Sequence, residues 1–575
     1  LRLQPIFDIA ELCARKGVTQ AILCPGSRCA PLTLAFAKHD DIQVRTISDE
    51  RSAAFIAHGI AQQSQSPVIL VCTSGSAAYD FAPAVAEAFF QGTPLLIFTA
   101  DRPKEWIDQH DGQTIRQENI FGVHVKKSFS LPEDYEHPDA QWFIHRTLNE
   151  AINLAEEFPK GPVHINAPFR EPLYPGKGEK ITFSKKIKII ATAQSSPVLI
   201  KAEIEELQRK LAGFSKTLVV AGQHDFNDGL AKALDKFSSS NHAPVVGDIL
   251  SNLHANLNVI RYADTFLSVC GDDVQRSLQP ELLITFGKSI ISKHTKLLLR
   301  KLKPLEHWHV QPAGVPADTY QSLTKVIRCE PKDFFKSLTS DKKDKGFEHQ
   351  KKENFLRVWQ AEEHRTGLSM STYFNEPTFS EFALVKEFIS GLPQRCNLHL
   401  ANSMSVRYAN MAGIGAGKKG IHVFANRGTS GIDGCTSTAV GHSLCNEIPN
   451  FLITGDMAFF YDRNAFWHNY PLPNLHILVL NNHGGIIFNM IDGPGNATEL
   501  DEFFVTRQKL TALPLATEFG FAYLHLDSLK KIKNNLKDFF IFDGKTKILE
   551  IESTQDENKR AFEKFKQQIK SGYGT

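Results

Sequence analysis

The sequence predicts an α/β protein built from three consecutive doubly wound parallel-sheet domains. Three observations lead there. Apolar runs of strand length alternate with amphipathic helical stretches along nearly the whole chain. Most of those runs end in a polar or Gly-rich loop, the place where open parallel sheets carry their ligands. The 575 residues suffice for several domains, and two charged, low-apolar stretches divide them into 1–185, 197–345 and 370–575.

The first domain alternates regularly. A helix over 4–16 leads into a strand, Ala21 to Cys24, and the tight turn Pro25-Gly26-Ser27-Arg28. A strand from Val44 to Ile47 runs into Ser48-Asp49-Glu50-Arg51, and a helix over 52–64 follows. Pro67 to Cys72 ends in Thr73-Ser74-Gly75-Ser76, before a helix over 77–90. Pro94 to Thr99 ends in Ala100-Asp101-Arg102-Pro103. From Tyr174 to Ser196 a basic, Pro/Gly/Ser-bearing run reads as a solvated linker.

The second domain has strands at Thr217–Ala221, from Pro244, and at Leu282–Phe286. It lacks a complete Gly-x-Gly-x-x-Gly, so no FAD or nucleotide is expected there. His307-Trp308-His309 is expected to be a strand with two exposed imidazoles rather than a metal site. Asp341 to Glu363 reads as a charged connector entering an amphipathic helix.

In the third domain a helix over 379–389 precedes a strand, Asn397 to Ala401, ending in Asn402-Ser403. Val423 to Ala425 opens onto Asn426-Arg427-Gly428-Thr429-Ser430-Gly431-Ile432-Asp433-Gly434. The stretch from Phe451 to Phe488 is the most telling. One apolar run ends in Gly455-Asp456, a helix is expected over 461–470, and a second run, Leu475 to Leu480, ends in Asn481-Asn482-His483-Gly484-Gly485. This is a βαβ unit with two polar clusters at neighbouring strand ends. Asp456 offers a carboxylate, Asn482 an amide oxygen and Gly484 a main-chain carbonyl. One carboxylate plus neutral oxygens suits Mg²⁺, which shares its shell with phosphate and water, so the ligand implied is a diphosphate. A last strand over 547–551 and a polar helix over 558–570 close the chain.

The Gly-Asp and Asn-Asn clusters resemble the signature of thiamine-diphosphate enzymes, with Met457 where most of those families carry a second Gly. More specific stretches narrow the resemblance. They are Cys-Pro-Gly-Ser-Arg-Cys-Ala-Pro-Leu (24–32), Asp-Glu-Arg-Ser-Ala-Ala-Phe (49–55), Cys-Thr-Ser-Gly-Ser-Ala (72–77), Thr-Ala-Asp-Arg-Pro (99–103), Gln-Thr-Ile-Arg-Gln (113–117) and Ala-Asn-Arg-Gly-Thr-Ser-Gly-Ile-Asp-Gly (425–434). Together these are similar to one family, the menaquinone-pathway 2-succinyl-5-enolpyruvyl-6-hydroxy-3-cyclohexene-1-carboxylate (SEPHCHC) synthases.

The resemblance implies domains of the thiamine-diphosphate decarboxylase type: pyrimidine-binding (1–185), central (197–345) and diphosphate-binding (370–575). It implies decarboxylation of 2-oxoglutarate and conjugate addition of the resulting succinic-semialdehyde carbanion to isochorismate. Glu50, which alone would merely complement a helix dipole, then sits against the aminopyrimidine as the catalytic carboxylate. The cofactor contacts implied are Glu50, Ser74, Gly75, Gly431, Ile432, Asp456, Met457, Ala458, Asn482, Ile487 and Phe488. Ile432 would be the apolar wedge that bends the cofactor. Asp456, Asn482 and Gly484 hold Mg²⁺, with Mn²⁺ the alternative. Ser27, Arg28, Arg102, Gln113, Lys293, Ser403, Arg407 and Arg427 contact the dicarboxylate substrates, arginine because its fork matches a carboxylate bidentately. Lys288 and Lys296 compete with Lys293 for its role. The family's sites lie between subunits, implying a homodimer or dimer of dimers. Two departures stand out: Gly112 where the family often has Asn, and Asp80, again where it often has Asn.

The metal pair and Glu50 alone would also suit another thiamine-diphosphate enzyme acting on a 2-oxo acid. The Ser27-Arg28 and Asp101-Arg102 loops argue for dicarboxylates instead. A catalytically silent relative would have no use for Glu50, Asp456 and Asn482 together. Net charge of +2 excludes a nucleic-acid or membrane-surface footprint. No apolar run reaches the ~18 residues that span a bilayer, and the N-terminal stretch reads as an amphipathic helix rather than a signal peptide. Nine scattered cysteines without a Cys-x-x-Cys pair fit a reducing cytoplasm.

Overall fold

A computed structural model describes residues 3–573 apart from 194, 257, 340–346, 416, 491–494 and 496. Three six-stranded, wholly parallel sheets follow one another along the chain. The first holds β1 (Gln20–Leu23), β2 (Gln43–Thr46), β3 (Val68–Cys72), β4 (Leu95–Asp101), β5 (Ser128–Ser130) and β6 (Val163–Pro168) in the order β2-β1-β3-β4-β6-β5. The second holds β7 (Thr217–Ala221), β8 (Val245–Gly247), β9 (Val259–Ile260), β10 (Leu282–Phe286), β11 (Glu306–Val310) and β12 (Lys325–Ile327) in the order β12-β11-β10-β7-β8-β9. The third holds β13 (Cys396–Leu400), β14 (Ile421–Phe424), β15 (Asn450–Gly455), β16 (Leu475–Asn481), β17 (Ala522–Leu526) and β18 (Lys547–Glu552), ordered β14-β13-β15-β16-β18-β17.

The first and third sheets therefore share one topology, and in each the strand order reverses direction between the first and third strands. Crevices at such reversals bind ligands. Here they lie between β1 and β3, and between β13 and β15. The apolar runs form strands because both faces are covered: β3 and β4 are buried at every residue.

The first and third units share a core. One cluster joins Ile22, Phe55 and Ile97 to Val440, Phe459 and Ile548. Its spine is the helix Glu50–Ser64 against the helix Cys435–Ser443. They approach so closely that a Cβ on Gly59 would lie 2.1 Å from the Thr438 carbonyl oxygen, and one on Gly441 2.2 Å from that of Ile56. The 29-residue helix Phe347–Asn375 bridges the other two units, packing Trp359 on the second and Tyr373 on the third.

Four expectations need correction. The helix expected over 461–470 lies earlier, at Asp456–Tyr461, followed by a 3-10 turn at Arg463–Phe466. The Asp462 side chain is spent on Ser437, accepting from its backbone N at 2.6 Å and Oγ at 2.7 Å, and the chain turns there. The helix expected over 77–90 is two, Ser76–Asp80 and Ala82–Gln91, because Pro83 has no N–H to continue the first. His307 and His309 are buried, not exposed: β11 is an interior strand, and both rings bond the Thr285 hydroxyl at 2.8 Å. The 174–196 stretch is no free linker. Its lysines 185, 186 and 188 are exposed, but its backbone is strapped to the domain through Asn149, which donates to Lys188 O and accepts from Ile190 N. The connector expected from Asp341 lies outside the described residues as far as 346, and the helix expected after it is Phe347–Asn375.

Candidate active site

At the β1/β3 reversal, Arg28 is 9 % exposed and donates to Phe169 O at 3.0 Å. Its Nε is buried without a partner among the described residues. Burial, and then the neighbouring Arg102 guanidinium, lower its pKa. Arg102 is gripped on one side, with Nε to Asp111 at 2.9 Å and Nη2 to the Gly112 carbonyl at 2.7 Å. The Gly112 departure thus contributes a main-chain oxygen. Ser27 is exposed on the same turn. Ser74 is 2 % exposed and its hydroxyl has no partner among the described residues, so a polar ligand is wanted there. Gly75 adopts φ +94°, a conformation glycine accepts freely. Its N–H donates to Gln117 Oε1 at 2.9 Å, and Gln113 crosses directly over it.

Glu50 opens its helix half-exposed, beside the capping Asp49, whose carboxylate accepts from Ser52 N at 2.9 Å. Burial raises the Glu50 pKa, and the charges of Asp80 and Asp49 add to it. Asp80 is one of the two departures, so that departure bears on the catalytic candidate itself. The residues flanking Glu50 reach into the third unit. Asp49 accepts from Asn464 at 2.8 Å, and Arg51 donates to Asp433 O at 2.8 Å and Tyr461 O at 3.1 Å.

At the β13/β15 reversal, Ser403 stands at φ +69°, a strained position for a residue with a Cβ. Arg407 donates to Ser403 O at 2.5 Å, and Arg427 to Asn402 Oδ1 at 2.9 Å. Burial lowers the pKa of both, and for Arg407 the Arg427 charge adds to the effect. Asn402 ties the loops together by donating to Asn426 O and Gly431 O. Ile432 packs on Ala401, Cys435 and Ala458.

Asp456 begins its helix, 1 % exposed, and Oδ2 accepts from Gly484 N at 2.8 Å and Gln508 Nε2 at 2.7 Å. Burial raises its pKa to about 6. Asn482 is 5 % exposed at the end of the adjacent strand, and its Nδ2 donates to Glu381 at 2.8 Å. Gly484 stands at φ +156°, where a Cβ would meet Val505 O at 2.8 Å. Met457 is half-buried and Ala458 buried behind Asp456, and Ile487 and Phe488 begin a short half-buried turn beyond the Asn-Asn loop. A buried carboxylate held by neutral donors, beside an amide oxygen and a carbonyl, fits a divalent cation bridging to a diphosphate. No three His, Cys, Asp or Glu side chains form a cation cage among the described residues, so the donor set here is mostly neutral oxygen.

The three lysines separate. Lys288, on an exposed turn, donates to Gln91 O and so joins the first and second units. Lys293 is exposed at the start of the helix Lys293–Lys301. Lys296 is half-buried and bonded to Ile290 O at 3.1 Å, with the Arg427 charge helping burial to lower its pKa.

Glu87, Glu381 and Gln508 were not expected from the sequence. Glu87, fully buried in the first unit, accepts from Gly428 N, Thr429 N and Thr429 Oγ1 at 2.6–2.8 Å and so anchors the Arg427–Ile432 loop. Its signal was a lone acid among Ala and Phe in a core-facing helix, which is costly unless paired. Glu381 carries the same signal at the head of an apolar helix. Gln508 carries none.

Two family models match the chain: "Thiamine pyrophosphate enzyme, N-terminal TPP binding domain" over residues 7–155 and "Middle domain of thiamine pyrophosphate" over 188–400. Among curated proteins, one from Cytophaga hutchinsonii is 45% identical over 572 residues, covering 99% of this chain and 100% of the relative. One from Flavobacterium johnsoniae is 38% identical over 551 residues, covering 96% of each. One from Porphyromonas gingivalis is 36% identical over 558 residues, covering 96% of this chain and 94% of the relative. All three are named 2-succinyl-5-enolpyruvyl-6-hydroxy-3-cyclohexene-1-carboxylate synthase.

Proposed function

The chain belongs to the family of 2-succinyl-5-enolpyruvyl-6-hydroxy-3-cyclohexene-1-carboxylate synthases, and from that premise we propose that it makes SEPHCHC from 2-oxoglutarate and isochorismate, using thiamine diphosphate and Mg²⁺. The observation that carries the substrate reading is the pairing of guanidiniums. Arg28 lies beside Arg102, and Arg407 beside Arg427, each pair partly buried and mutually repelling. Like charges brought together out of water need anions beside them: Asp111 bonds Arg102, Glu171 lies 3.8 Å from Arg28, Asp248 and Glu87 act on Arg427, and an anion between the guanidiniums would add to these. Dicarboxylates are such anions, and the fixed forks orient them.

Thiamine diphosphate, when bound, supplies the electron sink for loss of CO₂ and the carbon that adds to the acceptor. The chain's residues do the rest. Asp456, the Asn482 amide oxygen and the Gly484 carbonyl hold the cation. Ser74 and Gly75 receive the pyrimidine end, and Glu50 holds a proton against its ring nitrogen. Gly431 and Ile432, with Met457, Ala458, Ile487 and Phe488, form the apolar walls that exclude water. Ser27, Gln113, Ser403 and a lysine, Lys293 or its half-buried neighbour Lys296, complete the contacts to substrate.

The proposal includes a homodimer with the site between protomers: Glu50 in the pyrimidine-binding unit (1–185) of one, Asp456 in the diphosphate-binding unit (370–575) of the other. The disposition of Asp49, Glu50 and Arg51 supports it. The flanking side chains are spent on their own third unit, and Glu50 stays half-exposed between them. A cytoplasmic location is likewise proposed, supported by nine free cysteines. No described helix is long and apolar enough to cross a membrane.

The test supplies thiamine diphosphate and Mg²⁺, then 2-oxoglutarate with and without isochorismate, and follows CO₂ and isochorismate. Isochorismate loss that requires both substrates is expected. CO₂ release with isochorismate untouched would overturn the acceptor assignment.

A further inference from the structure

Each side-chain ligand proposed for the cation has two ways to face it. Asp456 must present one oxygen and keep the other occupied. Asn482 must present its oxygen and not its amino group. The structure assigns this choice to two side chains outside the ligand set: Glu381 positions Asn482, and Gln508 positions Asp456.

The geometry is a relay. Glu381 is 1 % exposed, and its Oε1 lies 2.8 Å from Asn482 Nδ2. The Glu381 Oε1 accepts that bond, as a carboxyl oxygen can in either protonation state, so it draws the amino group and turns the amide oxygen the other way. A second contact agrees. Asn489 donates to the Gln555 oxygen, leaving the Gln555 amino group to face Asn482 Oδ1 at 3.5 Å. On Asp456, the Gly484 N–H and Gln508 Nε2 both take Oδ2, at 2.8 and 2.7 Å. The Gln508 oxygen accepts from Leu510 N, which fixes its amide in turn. Gln508 N also donates to His483 O at 3.1 Å, so its segment is laced to the loop carrying Asn482. Outer partners of this kind orient metal ligands, and removing one costs roughly 10–100-fold in affinity.

The assignment rests on the cation site proposed above, so the experiment reads both. Mg²⁺ is titrated by calorimetry at saturating thiamine diphosphate into wild type, Asp456→Asn, Glu381→Gln and Gln508→Leu, with unfolding temperatures taken without metal. In Glu381→Gln the new amide can offer its amino group to the Asn482 oxygen and flip that side chain. In Gln508→Leu the Asp456 Oδ2 keeps only the Gly484 N–H, so the carboxylate is held less firmly in one orientation toward the cation. Metal-free stability close to wild type with Mg²⁺ affinity lowered about tenfold or more is expected for both. Gln508 is half-exposed on a surface segment, so its variant remains informative if the buried Glu381 variant fails to fold. Wild-type Mg²⁺ affinity in a folded variant overturns the role of that residue. Wild-type affinity in Asp456→Asn would instead overturn the cation site.

Discussion

At Glu50, burial and two acidic neighbours push in the same direction. Asp80 is the first of those charges, and Asp49 the second. Replacing Asp80 by Asn removes one negative charge and keeps the shape, so the Glu50 carboxyl ionises at lower pH. In a profile of kcat/KM against pH, which reports groups of the free enzyme, the limb set by Glu50 moves to lower pH in Asp80→Asn. An unmoved limb would mean that Asp80 does not act on Glu50. Local sequence pattern marks some of the candidate site's residues and hides others. Asp456, Asn482, Arg28 and Arg102 were legible because each follows an apolar run at a strand end. Glu87, Glu381 and Gln508 act through partners hundreds or tens of residues away, and no local pattern announces such a partner.

The helices Glu50–Ser64 and Cys435–Ser443 meet through glycine. In Gly59→Ala two effects compete. Alanine favours an isolated helix by about 1 kcal/mol. Its Cβ, however, would lie 2.1 Å from a main-chain carbonyl that has no side-chain freedom to yield, and overpacking of that kind costs typically about 1–3 kcal/mol or more. The clash wins, so the unfolding temperature falls and Glu50 shifts with its helix. A stabilised variant would contradict the close approach. Strands were legible from the sequence because parallel strands covered on both faces are continuous apolar runs. Helix ends were less so. Asp462 looked like part of a helix over 461–470, but its carboxylate caps another helix at Ser437, a contact 25 residues back in the chain. His307 and His309 looked solvated because polarity suggests surface, and the Thr285 hydroxyl that satisfies both rings lies on another strand.

Across the whole molecule, the alternation of apolar runs and polar loops was enough to foresee three parallel-sheet units. It could not show that the first and third share one topology and one core, since that follows from pairing order and not from any stretch read alone. Nor could it show how one chain disposes Glu50 and Asp456. In the proposed homodimer these two residues complete one site from different protomers. Co-expressing Glu50→Gln and Asp456→Asn chains with different tags and purifying the mixed dimer tests it directly. Each parent carries a defect in both of its sites, whereas the mixed dimer contains one site with both residues intact. Inactive parents and a mixed dimer with about half the wild-type rate of isochorismate consumption are expected, as two-fold symmetry requires. A mixed dimer as inactive as its parents would place both residues in a site made by a single chain and contradict it.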